Sequence, residues 1–173
     1  TLLKVINGMT EATSGTVSIG PSIKIGYFSQ YSLDILDPNN TVLDEMSRHL
    51  KDASNGFIRN LLAAFLFRGD DVEKKIKVLS GGEKSRIILA ILFATQNNFL
   101  ILDEPTNHLD IKSREVLLKA LQKFEGTVMI VSHDRYFLHH LANRVFEVDK
   151  GGIRVFDTNY QYYVDKKKEE SQV

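Results

Sequence analysis

The run Leu79-Ser80-Gly81-Gly82-Glu83, followed closely by Phe99-Leu100-Ile101-Leu102-Asp103-Glu104-Pro105, holds the densest chemistry in the chain. Two glycines in a helix's first turn leave backbone N–H groups and the positive end of the helix dipole open to an anion. Ser80 and Glu83 also spell a capping box, with each side chain bonding the other's backbone N–H. Glycine is a poor helix former, so the pair makes further sense where something large approaches the backbone. Asp103 and Glu104 end an apolar run, and parallel sheets bind ligands at the carboxyl ends of their strands. Asp103 suits a magnesium ion, directly or through water. Glu104 suits a water that it orients or deprotonates. The plainer reading, two solvated carboxylates opening a loop, leaves the polar run Pro105-Thr106-Asn107-His108-Leu109-Asp110 unexplained. His133, in Ser132-His133-Asp134 beyond a second apolar run, is placed to donate to a γ-phosphate. Gln30, after Tyr27-Phe28-Ser29, is a weaker candidate for magnesium or a held water. His49, His139 and His140 read as surface or satisfied groups. Together the residues describe half of a device that splits a nucleoside triphosphate.

The elements that must position these groups follow from the pattern. Thr1–Ile6 reads as the tail of a short helix stopped by Asn7-Gly8. Thr16–Ile19 and Ile23–Phe28 alternate as strands around Gly20-Pro21. Thr41 caps a helix to about His49, and Phe57–Phe67 is a second helix, ended by Gly69. Ser80 opens a helix to about Ala94 whose middle is apolar all round, hence buried. Phe99–Leu102 and Thr127–Val131 are short continuous apolar runs, the mark of parallel strands covered on both faces. Ile111–Phe124 is the helix between them, with Asp110 as its N-cap. Arg135–Ala142 is helical, Val145–Val148 and Ile153–Phe156 form a hairpin around Lys150-Gly151-Gly152, and Tyr160–Glu170 is a charged helix or tail. There is no internal repeat.

The bulk numbers exclude much. A chain of 173 residues makes one domain with a real core. Net charge is +0, so no overall field favours nucleic acid or an anionic membrane. With no cysteine there is neither a disulfide framework nor thiol catalysis, and the cytoplasm is the natural setting. No apolar run reaches membrane-spanning length, and clusters of histidine and cysteine for metal are missing.

In this order, the residues resemble the nucleotide-binding domain of ATP-binding cassette (ABC) proteins. Gln30 matches that family's Q-loop, and Leu79–Glu83 its LSGGQ signature, with Glu83 in place of Gln. Leu100–Glu104 matches Walker B, Leu109-Asp110 the D-loop, and His133 the switch histidine. The resemblance implies an α/β fold of the P-loop NTPase type, mainly parallel, with a helical signature subdomain at about 31–95. Residues 1–158 would form a partial nucleotide-binding domain and 159–173 a charged tail. Asp103-Glu104-Pro105-Thr106-Asn107-His108-Leu109-Asp110, Ser132–Leu138 and Asn159-Tyr160-Gln161-Tyr162-Tyr163 look like the ABC-F group, whose members carry two cassettes and many of which act on ribosomes. Asp37–Leu43 and the Tyr-rich tail look like their second cassette.

Family mechanism then implies roles. Two cassettes close head to tail on two ATP molecules. Ser80, Gly81, Gly82 and Glu83 touch ATP held by a second ABC cassette. Asp103, Glu104, Gln30 and His133, with Thr1 beside the phosphate loop, serve the chain's own ATP and Mg2+. Asp110 links the two sites. The run G-x-x-x-x-G-K-[ST] is absent, and Thr1-Leu2-Leu3-Lys4 reads like the residues just after it. The chain is thus expected to be a piece of a longer cassette, with an exposed apolar sheet edge and little ATP binding or hydrolysis alone. Alternatives are the cassette of a membrane transporter and a non-catalytic interaction domain. Lys166-Lys167-Lys168 offers weak attraction for ribosomal RNA, offset by Glu169-Glu170.

Overall fold

The apolar runs assemble as a parallel sheet. In the computed structural model, which describes residues 1–149 and 151–171 apart from the Gln30 side chain, β1 (Ile25–Phe28), β2 (Phe99–Asp103) and β3 (Thr127–Val131) lie in the order β1-β2-β3. Phe28 pairs with Leu102 and Asp103 with Val131, so the carboxyl ends of the strands finish nearly level. Leu100, Ile101 and Leu102 are fully buried, as a central parallel strand requires. β3 departs from the two-faced cover expected of it: Thr127 and Val131 are exposed, because β3 is an edge of the described sheet.

The helices α1 (Leu2–Ile6), α2 (Val42–His49), α3 (Asn55–Ala64), α4 (Gly81–Ala94) and α5 (Ile111–Gln122) surround this sheet's sequence, with 3-10 turns at Gln30–Ile35, Gly69–Glu73 and Ile76–Val78. The middle of α4, Ile87 to Ile91, is buried, as its all-round apolarity demands. Thr41 caps α2 by accepting from the Asp44 N–H at 3.1 Å. Inside α2 a carboxylate is buried that nothing in the pattern announces. The Glu45 side chain is 0% exposed, yet Asn40 Nδ2 donates to it at 2.8 Å and Arg48 Nε at 3.2 Å. Burial pushes its pKa up, but the bonds from Arg48, Asn40 and the Asp37 backbone hold it below the usual carboxylate range.

Two expected elements differ. Thr16–Ile19 is irregular, with Val17 and Ile19 exposed, because no described strand pairs with it and an unpaired strand has no ladder to hold it. The helix expected at Phe57–Phe67 runs Asn55–Ala64, capped by Ser54. It stops early because Leu66 takes a left-handed φ of 68°.

The chain divides into two compact units, Thr1–Val131 and the residues from Ser132 onward. The second holds α6 (Arg135–Leu141), the antiparallel hairpin of β4 (Val145–Asp149) and β5 (Gly152–Phe156), and α7 (Tyr160–Glu170). Lys150, expected in the hairpin turn, lies outside the described residues, and Gly151 turns at φ 78°. α7 is fastened to the hairpin. Tyr163 Oη donates to Glu147 at 3.1 Å, Arg154 Nη2 donates to Glu170 at 2.7 Å, and the Phe156 and Tyr163 rings stand 5.1 Å apart. Residues 160–170 therefore form part of this unit's packing.

Candidate functional site

Asp103 is the last residue of β2, and the Glu104 N–H still donates to the Val131 carbonyl at 2.8 Å, one residue past the strand. The chain then leaves the sheet abruptly. Glu104 adopts a left-handed φ of 51° and His108 one of 64°, conformations that side chains rarely take without support from the surroundings. Backbone bonds from Asn107 N–H to Glu104 (3.1 Å) and from Leu109 N–H to Thr106 (3.2 Å) tighten the loop. Half-buried Glu104 lines a cavity of about 170 Å³ together with Ser29 at the end of β1, Ser85 of α4, Asn107 and His108.

The amino end of α4 meets the same loop. The expected capping box is present. Ser80 Oγ accepts from Glu83 N–H at 3.3 Å, and Glu83 Oε2 accepts from Ser80 N–H at 2.8 Å. Burial pushes the Glu83 pKa up, but the Ser80 bonds, with Arg86 and Lys74 nearby, keep it below the usual carboxylate range. The two glycines have different reasons to exist. A Cβ on Gly82 would stand 2.6 Å from the His108 carbonyl oxygen, so the loop itself occupies the space a side chain needs. A Cβ on Gly81 would meet nothing within 4 Å. An internal contact accounts for Gly82, and Gly81 faces open space where an anion can approach the helix's N–H groups.

Asp110 caps α5, accepting from the Ser113 N–H at 2.7 Å. The Ser113 hydroxyl and backbone bonds hold its carboxyl below the usual range. Gln30 opens the 3-10 turn after β1, and its side chain lies outside what is described. Thr1 is exposed at the N-cap position of α1, with no capping bond from its side chain. His133 is exposed in the second unit, in a turn where the Asp134 N–H donates to Ser132 Oγ at 3.1 Å and Asp134 caps α6. The sequence reading did not single out Ser85, His108 as a contact, Arg86 or Ser113. Only the i+4 spacing of Ser85 from Gly81, whose carbonyl its hydroxyl bonds at 3.0 Å, offered a signal.

Among the described residues no three of His, Cys, Asp and Glu cluster as a metal cage. A single strand-end carboxylate ligand, as Asp103 would supply, is nonetheless the kind that Mg2+ takes alongside nucleotide phosphates and water.

Residues 1–107 match the family described as ABC transporter. YdiF of Bacillus subtilis (strain 168) is 45% identical over 170 residues, 98% of this chain and 26% of that protein. ABC transporter F family member 5 of Arabidopsis thaliana is 40% identical over 167 residues, 96% of this chain and 24% of that protein. The chain thus spans about a quarter of the length of these curated relatives. Among solved structures, the ATP-binding cassette MJ0796, a dimer in a post-hydrolysis state bound to ADP and Pi, aligns with a TM-score of 0.70 over 90% of this chain and 78% of that one, at 22% identity. The archaeal ribosome recycling factor aABCE1, solved in complex with the ribosomal stalk protein aP1, aligns with a TM-score of 0.76 over 98% of this chain and 34% of that one, at 24% identity. These two likenesses show the fold, that of ABC cassettes.

Proposed function

The chain belongs to the ABC transporter family, and from that premise we infer that it is the ATP-hydrolysing cassette of an ABC-F-type protein of the cytoplasm that acts on ribosomes. One observation carries the ATPase reading. Adjacent carboxylates, Asp103 and Glu104, stand at the carboxyl end of the central parallel strand, in a loop that touches the glycine start of α4. Glu104 orients and deprotonates the attacking water from a backbone held in one conformation. Asp103 would hold Mg2+, which when bound neutralises charge developing on the phosphoryl oxygens. Ser80 and Gly81 offer a hydroxyl and an N–H group to a nucleotide gripped mainly by a second cassette, and Asp110 follows two residues after His108, which closes against Gly82. The resemblance assigns Gln30 the Q-loop role and His133 that of the switch histidine. Weak MgATP binding by the 173 residues alone belongs to this reading, since they contain no G-x-x-x-x-G-K-[ST] run.

The ABC-F assignment is supported by the F-family relative that matches 96% of the chain. No helix among the described residues is long and apolar enough to cross a membrane. The ribosome as partner is supported by the ABC-F-like runs at Asp103–Asp110 and Ser132–Leu138, and, at the level of fold, by the likeness to aABCE1. The test is Glu104→Gln in the full-length protein. ATP turnover should fall by roughly 100-fold or more, with the ATP-bound closed form accumulating and co-sedimenting with ribosomes. Unchanged turnover refutes the role of Glu104, and a trapped form that ignores ribosomes refutes the partner.

A further inference from the structure

Arg86 lies in the second turn of α4, and its guanidinium reaches across to α5. Nη1 donates to Ser113 Oγ at 2.8 Å, and the guanidinium carbon stands 4.9 Å from the centre of the Phe67 ring. Ser113 is 2% exposed, and its N–H makes the 2.7 Å bond that seats Asp110 as the cap of α5. A planar fork that lies over a ring and bonds a buried hydroxyl is held in one orientation, as a flexible ammonium would not be. Its Nε is buried and has no hydrogen-bond partner among the described residues. A buried polar atom without a partner is unfavourable, so packing alone gives no reason for a guanidinium here. The start of α4 and the 104–110 loop are therefore tied at two points, by the Gly82–His108 contact and by Arg86 through Ser113.

We propose that Arg86 is a positioning residue that, through Ser113, fixes Asp110 relative to Ser80 and Gly81 so that all three meet the nucleotide of a second cassette together. The proposal rests on the ATPase reading above. Asp110 and the start of α4 face a nucleotide whose main grip lies elsewhere, so their displacement should slow the reaction more than it weakens binding.

The experiment measures kcat and KM for ATP in the full-length protein with Arg86→Ala, Ser113→Ala and both, alongside hydrogen exchange over residues 109–114. Ser113→Ala keeps the backbone bond to Asp110 and deletes the hydroxyl that Arg86 holds and that itself bonds the Asp110 carboxyl, the middle link of the relay, so it serves even where Arg86→Ala folds poorly. Each single variant should lose about tenfold or more in kcat while KM moves less than about twofold, as expected of misplacement without lost ligand contact. The double variant should be no slower than Arg86→Ala, as members of one relay are not additive. Exchange over 109–114 should quicken in Arg86→Ala. Wild-type kcat in either single variant, a loss carried by KM, or losses that add in the double variant overturn the relay. If the wild-type protein hydrolyses no ATP, the ATPase reading falls, and exchange alone judges the tie: unchanged protection at 109–114 in Arg86→Ala then refutes it.

Discussion

Alanine at Gly81 and alanine at Gly82 should move stability in opposite directions, although the residues are neighbours in the first turn of α4. Neither has a positive φ, so backbone strain does not enter. At Gly81 the added methyl meets nothing within 4 Å. There the better helix propensity of alanine acts alone, worth about 0.5–1 kcal/mol. For a chain of this size that raises Tm by roughly 1–4 °C. At Gly82 the methyl lands 2.6 Å from the His108 carbonyl oxygen and must open to about 3.4 Å to reach ordinary contact. The obstacle is backbone, and His108 already sits at φ 64° in a loop pinned at both ends. Overpacking of this kind costs about 1–3 kcal/mol. After the propensity gain, the net loss of about 0.5–2 kcal/mol lowers Tm by roughly 1–8 °C. Thermal melts of both variants, paired with ATP turnover of the same substitutions in the full-length protein, separate the effects. Gly81→Ala should melt higher than wild type yet turn over ATP more slowly, because its methyl occupies the nucleotide's approach. Equal destabilisation by both variants, or a wild-type melt for Gly82→Ala, would refute the division of labour between the two glycines.

Glu45→Ala should destabilise the fold by about 1–3 kcal/mol, the cost of stranding donors rather than of exposing apolar surface; Arg48, 47% exposed, rehydrates and keeps the loss below that of a fully buried pair. A wild-type melt for Glu45→Ala would show that the cluster organises nothing. Glu170 gives a pH prediction. The Arg154 guanidinium, with Lys167 nearby, holds its carboxyl down at about 2 from the usual 4.5. A depressed carboxylate contributes fully above its unfolded value and loses that contribution as pH falls through its folded one. Protection of the α7 amides, as exchange relative to the intrinsic rate at each pH, should therefore fall between pH 4.5 and about 2, less so in high salt because the pair is exposed. Arg154→Gln should remove that step, and identical profiles in the two proteins would contradict it.

The sequence made legible what local pattern and period decide. β2 reads from a continuous apolar run because it is buried on both faces, and α4 reads from Ser80 at its cap and apolar residues all round. The caps at Thr41, Ser80 and Asp110 are local hydrogen bonds between residues three apart, so spacing alone announces them. Thr16–Ile19 misled because alternation reports a tendency to pair, while pairing needs a neighbour. Glu45 was illegible because its donors Asn40 and Arg48 are unremarkable polar residues until burial brings them together. The Gly82–His108 contact spans 26 positions, and no pattern within either segment encodes it.

That contact also changes what the paired carboxylates mean. Glu104 and His108 are both held left-handed, each at an expense of order 1–3 kcal/mol, and such strain persists only where surroundings over-determine the backbone. Here they do. The Val131 carbonyl holds one end of the loop, the Asp110 cap holds the other, and the start of α4 closes against its middle through Gly82. A loop so fixed cannot move Asp103 and Glu104 without moving Asp110 and the glycine face of α4. In the proposed function, the first pair serves the chain's own nucleotide and the second serves the neighbour's. Coupling between two ATP sites then needs no long pathway, because one strained loop of seven residues belongs to both.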